Sequence, residues 1–570
     1  MDIKEQANFI WSIADLLRGN FKQSEYGKVI LPFTVLRRFD CVLAPSKEEI
    51  LERNKSLAVS NKAPIFKKYT GHDYYNVSKF DFEKLIDDSN NIDTNLKDYI
   101  NGFSDDVKEI LDNFEIVTII EKLKKAGLLY LVVQKFSEIN LGADTIDNLE
   151  MGYMFEELIR KFSEQSNETA GEHFTPREVI ELMVEVLLDT DLDEITTTDG
   201  KVITILDPAC GTGGMLSIAQ NKIRALNSRT TVVPFGQELN PETYATCKSD
   251  MILKNNTNSK IVFGNSFSED GFREQKFDYI LSNPPFGVEW KKVKNFIENE
   301  SKHKGYDGRF GAGTPRISDG SLLFLQHMIS KMQPIEKGGS RIGIVFNGSP
   351  LFSGDAGSGE SEIRKWIIEK DLLEAVIGLP DQLFYNTGIS TYVWILTNRK
   401  TDRRKGKIRL INGTSFFGKM RKSLGNKRNE ITESDRKEIV RLYSTYEHDE
   451  NYIDFDNDDF GYRKITIERP LYDENREVVV EKGNPKPNSK LRDTETVPFK
   501  EDIHEYFKRE VLPHVPDAWI DEKKTKIGYE IPFTRHFYKF TPLRESSVIL
   551  DEIKQLEEKI QKSLNELFKG

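Results

Sequence analysis

Only three cysteines, Cys41, Cys210 and Cys247, occur in 570 residues, and they form no paired metal-ligand spacing. That argues against structural zinc and a disulfide framework and points to reduced thiols. No uncharged apolar run is long enough to cross a bilayer, and the opening stretch MDIKEQANFIWSIADLLRGN mixes charge with its apolar residues. Neither a membrane span nor a signal peptide is expected, and a cytoplasmic location is. A P-loop lysine and a nuclease-like cluster are also missing, which speaks against motor or cutting activity. Positive charge is short as well: the formal net charge is −11 with 30% charged residues. The balance favours solubility but is the wrong sign for a chain that coats nucleic acid unaided, so phosphate contacts would need a local basic surface or a partner.

What is present divides the chain. Its length exceeds one comfortable core, so several domains are expected. Residues 1–147 read as a helical domain: Phe9, Ile10, Ile13, Leu16 and Leu17 recur at helical spacing, and IVTIIEKLKKAGLLYLVVQKF continues the pattern. Residues 148–415 change texture. The runs VITILDP, TVVPFGQEL, KIVFGNS, FDYILSNPP, RIGIVFNGS, LLEAVIGLP and STYVWILTN alternate with amphipathic stretches, which predicts an α/β domain with a parallel sheet covered on both faces. Residues 416–545 form a C-terminal region with loops, marked by EKGNPKPNSKLRDTETVP. Residues 546–570 form a terminal helix whose Ile549, Ile553, Leu556, Ile560, Leu564 and Leu567 follow coiled-coil spacing and pack either on the chain itself or on a partner. Between residues 399 and 428 the charge is strongly basic, read as a solvated face or a DNA-backbone contact.

Chemistry concentrates at the ends of the expected strands. In ILDPACGTGGML, Asp207 closes the first strand, and Gly211, Gly213 and Gly214 permit a tight turn into a helix, as a cofactor at a strand's carboxyl end requires. Leu216 stands where a dinucleotide fingerprint needs its third glycine, so a phosphate-bearing cofactor is disfavoured. Glu238 ends the second strand, a place suited to ribose hydroxyls. Asn265 ends the third and serves either a purine edge or a turn. The fourth ends in Asn283, Pro284, Pro285 and Phe286.

This constellation resembles S-adenosylmethionine-dependent amino-group methyltransferases, whose fourth strand carries an (Asp/Asn/Ser)-Pro-Pro-(Tyr/Phe/Trp) motif. With AGEHFTPREV at residues 170–179 and FEELIRKFSE before it, the chain more closely resembles the methylation subunit of type I restriction-modification systems, a DNA adenine-N6 methyltransferase. The resemblance implies a Rossmann-like class I methyltransferase sheet behind a helical N-terminal domain. It implies that Glu172, His173, Phe174, Thr175, Pro176 and Arg177 line the methionine end of S-adenosylmethionine. The turn containing Asp207, Ala209, Cys210, Gly211, Thr212, Gly213 and Gly214 would wrap the cofactor backbone, Glu238 would hold the ribose, and Asn265, where many relatives carry an acid, would approach the adenine.

Asn283, Pro284, Pro285 and Phe286 would act on a flipped adenine in double-stranded DNA. Its amino nitrogen is a poor nucleophile because the lone pair is delocalised into the ring. Acceptors at the Asn283 side chain and the Pro284 carbonyl would draw it towards tetrahedral geometry, and Phe286 would stack on the base. No metal is implied. The implied partners are a sequence-specificity subunit, a restriction (translocase-nuclease) subunit and a second copy of this chain. Methylation of RNA or of a protein glutamine, and a non-catalytic DNA-binding assembly role, are the alternatives.

Three further features carry weaker expectations. His327, on an apolar helix, is expected to pack. Residues 353–361, SGDAGSGES, form either a mobile cover or a plain loop. The polar insertion 288–320 is a lid or a DNA-facing element.

Overall fold

All the apolar runs fold as strands: β1 (Val202–Asp207), β2 (Thr231–Glu238), β3 (Lys260–Phe263), β4 (Tyr279–Ser282), β5 (Arg341–Asn347), β6 (Leu373–Gly378) and β7 (Thr391–Thr397). The computed structural model describes residues 3–165, 175–254, 256, 258–384, 388–424, 426–537 and 545–567. Glu172, His173 and Phe174, expected at the cofactor, lie outside the described residues. Three strands lay outside the apolar runs: β8 (Lys407–Asn412), then a hairpin of β9 (Gly418–Leu424) and β10 (Lys427–Glu430). A fourth, β11 (Tyr452–Asp456), returns to the main sheet. That sheet has nine strands in the order β3-β2-β1-β4-β5-β7-β6-β8-β11.

The expected all-parallel sheet is corrected to a mixed one. β1 runs parallel to β2 and β4, but β7 is antiparallel to both β5 and β6, and β11 is antiparallel to β8. An apolar run buried on both faces reads alike in either direction, so composition does not fix orientation. β4 and β6 are buried at every position, which explains why they are continuously apolar. The chain grows outward from β1 to one side through β2 and β3, and to the other through β4 and β5. The carboxyl ends of β1 and β4 therefore flank a topological switch point, where a crevice opens.

Helices before residue 165 pack around Phe33, Phe39, Leu96, Phe136 and Phe155, all fully buried. This core continues into the catalytic region through Leu253, the last residue of the helix Pro241–Leu253. Asn240 caps that helix by accepting from the Thr243 N–H at 3.1 Å, with Pro241 in the first turn, where no donor is needed. Polar contacts seat the helical region on it: Glu109 accepts from Tyr244 Oη at 2.7 Å and Lys248 Nζ at 2.8 Å, and Lys28 pairs with Glu242 at 3.0 Å.

The basic stretch 399–428 departs from both of its readings. Lys400, Arg404, Arg409 and Lys427 are buried. Lys400 meets Asp371 at 2.6 Å, Arg409 grips Asp454 through two bonds of 2.7 Å, and Lys427 pairs with Glu178. Only part of the run, including Arg403, Lys405 and Lys407, faces water. Beyond it, a three-stranded antiparallel sheet sets Gly461–Glu468 between Asp493–Pro498 and Trp519–Tyr529, more order than the loop-rich texture suggested.

The chain divides into two units, Met1–Ile531 and Pro532–Gly570. In the second, the helix Ser546–Leu567 exposes Ile549, Ile553, Leu556 and Ile560 by 41 to 59%; the side chains of Leu564 and Leu567 are not described. Among the described residues no helix is long and apolar enough to cross a membrane.

Candidate active site

After Asp207 the chain must turn at once into the helix Gly214–Leu226. Gly213 makes this possible: its φ is +84°, and a Cβ there would stand 2.7 Å from the Cys247 sulfur, so a side chain is excluded both by conformation and by space. The turn is lashed to β2. The Cys210 N–H donates to the Gln237 carbonyl at 3.1 Å, and the Gly211 N–H donates to Glu238 Oε2 at 2.9 Å. Glu238 Oε1 accepts from the Asn240 N–H at 2.8 Å. Backbone donors thus hold this carboxylate beside the glycine turn.

Asp207 joins the turn to the fourth strand. Its Oδ1 accepts from the Ala209 N–H at 3.0 Å and from Ser282 Oγ at 2.8 Å. Burial pushes its carboxyl up to about 7, and the Glu238 charge pushes the same way against those hydrogen bonds. Ser282, which sequence reasoning did not single out, immediately precedes Asn283.

Asn283 Nδ2 donates to Thr175 Oγ1 at 2.9 Å. Its Oδ1 is buried and has no hydrogen-bond partner among the described residues. Such an acceptor is uncommon in a folded protein because it forfeits its hydration without replacement. Asn265 acts as a turn residue, its Oδ1 accepting from the Phe267 and Ser268 N–H groups at 2.9 and 3.3 Å, while still facing the same cavity.

That cavity encloses about 830 Å³ at the strand ends. The structure brings Thr175, Asp207, Ala209, Cys210, Gly211, Thr212, Gly214, Glu238, Asn265, Asn283 and Pro285 to its wall. Pro176, Arg177, Gly213, Pro284 and Phe286 stand off the lining. Pro176 caps the helix Arg177–Leu188. Arg177 turns outward over the Tyr153 ring and pairs with Glu181 at 3.2 Å. Phe286 is half-buried and packs against the central core.

Part of the wall was not foreseen. Gly27, Lys28 and Phe162 reach it from the helical region, where the sequence pattern is that of an ordinary bundle. The insertion 288–320 contributes Trp290 and is folded, with a helix over Lys294–Lys304 and a small core of Trp290, Ile297, Phe310, Leu323 and Phe267. Arg309 pins it to the loop after β3, donating to the Ser266 and Phe267 carbonyls at 3.0 and 2.6 Å and pairing with Glu300 at 2.6 Å. His327 is packed as expected: burial holds its imidazole at about 3, hence neutral, with Nδ1 3.2 Å from Arg309 Nη1. Residues 353–361 lead into the helix Gly359–Glu369, capped by Ser358, and do not line the cavity.

Comparison with known proteins places this geometry in context. The N-6 DNA Methylase family matches residues 147–460, and the HsdM N-terminal domain family matches residues 6–136. The type I restriction enzyme MjaIX methylase subunit of Methanocaldococcus jannaschii is 27% identical over 487 residues, covering 81% of this chain and 80% of that protein. The HindI methylase subunit of Haemophilus influenzae is 31% identical over 280 residues, covering 48% of this chain and 55% of the relative. Among solved structures, a type I restriction-modification methyltransferase subunit from Streptococcus thermophilus superposes with a TM-score of 0.65 at 22% identity. It covers 81% of this chain and 97% of that one, a likeness of fold.

Proposed function

The chain belongs to the N-6 DNA methylase family and is the methylase subunit of a type I restriction-modification system, and from that premise we propose how it acts. It draws the methyl group from S-adenosylmethionine, and Asn283 receives the N6 amino group of an adenine turned out of the duplex. Extrusion is required because an N6 atom inside a stacked, paired base lies out of reach of a walled cavity.

The residues present suit the methyl donor. Glu238, held by two backbone N–H groups, keeps lone pairs for ribose hydroxyls, and the crowded glycine turn lets backbone approach closely. Thr175 and Asn265 would face its two ends. When bound, S-adenosylmethionine supplies a methyl group on a sulfonium, already activated, so no covalent nucleophile or metal is required of the protein.

Asn283 Oδ1 would accept one amino hydrogen and the Pro284 carbonyl the other, drawing the nitrogen towards tetrahedral geometry and relieving charge as the bond forms. The successive prolines remove N–H donors and restrict the backbone, which keeps that carbonyl aimed. The open side of half-buried Phe286 is the candidate stacking face. The amino proton departs after transfer, so no general-base carboxylate is demanded. One observation carries this reading: a buried amide oxygen without a partner at the cavity wall shared by Glu238 and the glycine turn.

The division of labour follows. Residues 1–147 form the helical domain, 148–415 the catalytic domain, 416–545 a C-terminal region and 546–570 a helix that docks on the sequence-specificity subunit. With a net charge of −11, this chain leaves sequence readout to that partner. Two copies would join it, and a translocase-nuclease subunit would add restriction. The test is transfer of labelled methyl by the chain assembled with its specificity subunit, followed by analysis of the nucleosides. Label in N6-methyladenine of DNA is expected; label in RNA or protein glutamine, or none anywhere, would overturn the reading.

A further inference from the structure

A carboxamide has two ends of nearly equal shape and opposite chemistry. Only the oxygen end helps an amine become a nucleophile; the NH₂ end would oppose its hydrogens with hydrogens of its own. Some neighbour must therefore select which end of Asn283 faces the acceptor. The chemistry of Asn283 derived above says which end is needed, but not what holds it there.

We propose that Thr175 is the positioning residue that makes this selection. Asn283 Nδ2 donates to Thr175 Oγ1 at 2.9 Å, and the other end of the amide is the buried Oδ1 that lacks a partner among the described residues. Thr175 satisfies the end that chemistry does not use and leaves the useful end for the substrate. An unmet buried acceptor is unfavourable by roughly 1–3 kcal/mol, a penalty relieved when an amino group arrives.

The mount of Thr175 is stiff. Pro176 follows it and restricts its backbone to extended conformations. Pro176 in turn heads the helix Arg177–Leu188, whose Val179, Leu182, Met183 and Val186 are fully buried. Asn283 is fixed from the opposite direction, since its neighbour Ser282 donates to buried Asp207. The amide thus sits between two anchored segments 108 residues apart in sequence.

This inference rests on the role assigned to Asn283 and gives Thr175 a task at the methyl acceptor, in addition to its place in the donor wall. The discriminating substitution is Asn283→Asp, because a carboxylate has two oxygen ends and needs no selection. Single-turnover methyl transfer to target DNA by the chain assembled with its specificity subunit would be measured for Thr175→Val and Thr175→Ser, each alone and each combined with Asn283→Asp, with donor affinity by calorimetry.

Thr175→Val is expected to slow transfer about 10-fold or more with donor affinity within about twofold, and Thr175→Ser to restore the rate. Added to Asn283→Asp, Thr175→Val should cause no further loss. If Asn283→Asp proves inactive or Thr175→Val does not fold, Thr175→Ala combined with Asn283→Ala replaces the cycle; the double variant should then be no slower than Asn283→Ala alone. A wild-type rate for Thr175→Val, a rate loss matched by lost donor affinity, or fully additive losses would each overturn the proposal. A wild-type rate for Asn283→Ala would instead overturn the underlying role of Asn283.

Discussion

Asp207 is 2% exposed, and its two hydrogen bonds do not offset the loss of water around a charge. Its carboxyl therefore titrates at about 7 in the folded chain, against about 3.9 in an unfolded one. The folded state binds this proton more tightly, so the Asp207 contribution to stability is complete below about pH 4 and is lost as pH rises through about 7. Asparagine keeps an acceptor for Ala209 and Ser282 and cannot ionise. Between pH 5 and 8, Asp207→Asn is expected to gain stability relative to the parent chain, by up to about 1.4 kcal/mol per pH unit below the folded pKa. Urea midpoints across that range measure it, and parallel profiles would contradict it. Residue-scale legibility was uneven. The positions of Glu238 and Asn283 followed from where strands end, because a strand's last residue is delivered to the crevice whatever its side chain. The directions of Arg177 and Phe286 did not, because each found a better partner nearby, Glu181 in one case and the apolar core in the other.

At the scale of elements, the apolar runs announced β1 through β7, whereas β8 stayed hidden because its residues include Lys407 and Arg409. Burial of those charges depends on partners distant in sequence, which local composition does not display. Arg409 shows the consequence: its guanidinium is 1% exposed, paired with Asp454 and bonded to the Leu442 carbonyl at 2.8 Å. Arg409→Met, which strands Asp454 and that carbonyl, is expected to lower stability by about 3–5 kcal/mol. The salt dependence of DNA affinity in the folded fraction should not change. Arg403→Gln, on an exposed position of the same run, should leave the melting temperature in place. An unaltered melting temperature for Arg409→Met, or a flatter salt dependence, would return this residue to the DNA-facing reading. Insertion 288–320 makes the converse point. Its polar texture suggested a loop, yet a few apolar residues and the Arg309–Glu300 pair suffice to fold it onto the cavity wall.

For the whole molecule, the acidic balance and the exposed stripe of the last helix argue together. A chain with net charge −11 depends on a partner to approach DNA closely and in register. The Ile549, Ile553, Leu556 and Ile560 stripe has the spacing and exposure of a helix that completes its packing elsewhere. Removal of residues 546–570 is expected to abolish co-purification with the specificity subunit while calorimetric affinity for S-adenosylmethionine stays within about twofold. Retained co-purification would show that another surface makes the contact.

The central claim concerns one oxygen atom, and single-turnover methyl transfer by Asn283→Ala, with donor affinity measured on the same preparation, tests it most directly. The expected result is a rate lowered on the order of 10² to 10³ with donor affinity unchanged. Transfer to adenine at the parent rate would contradict the account.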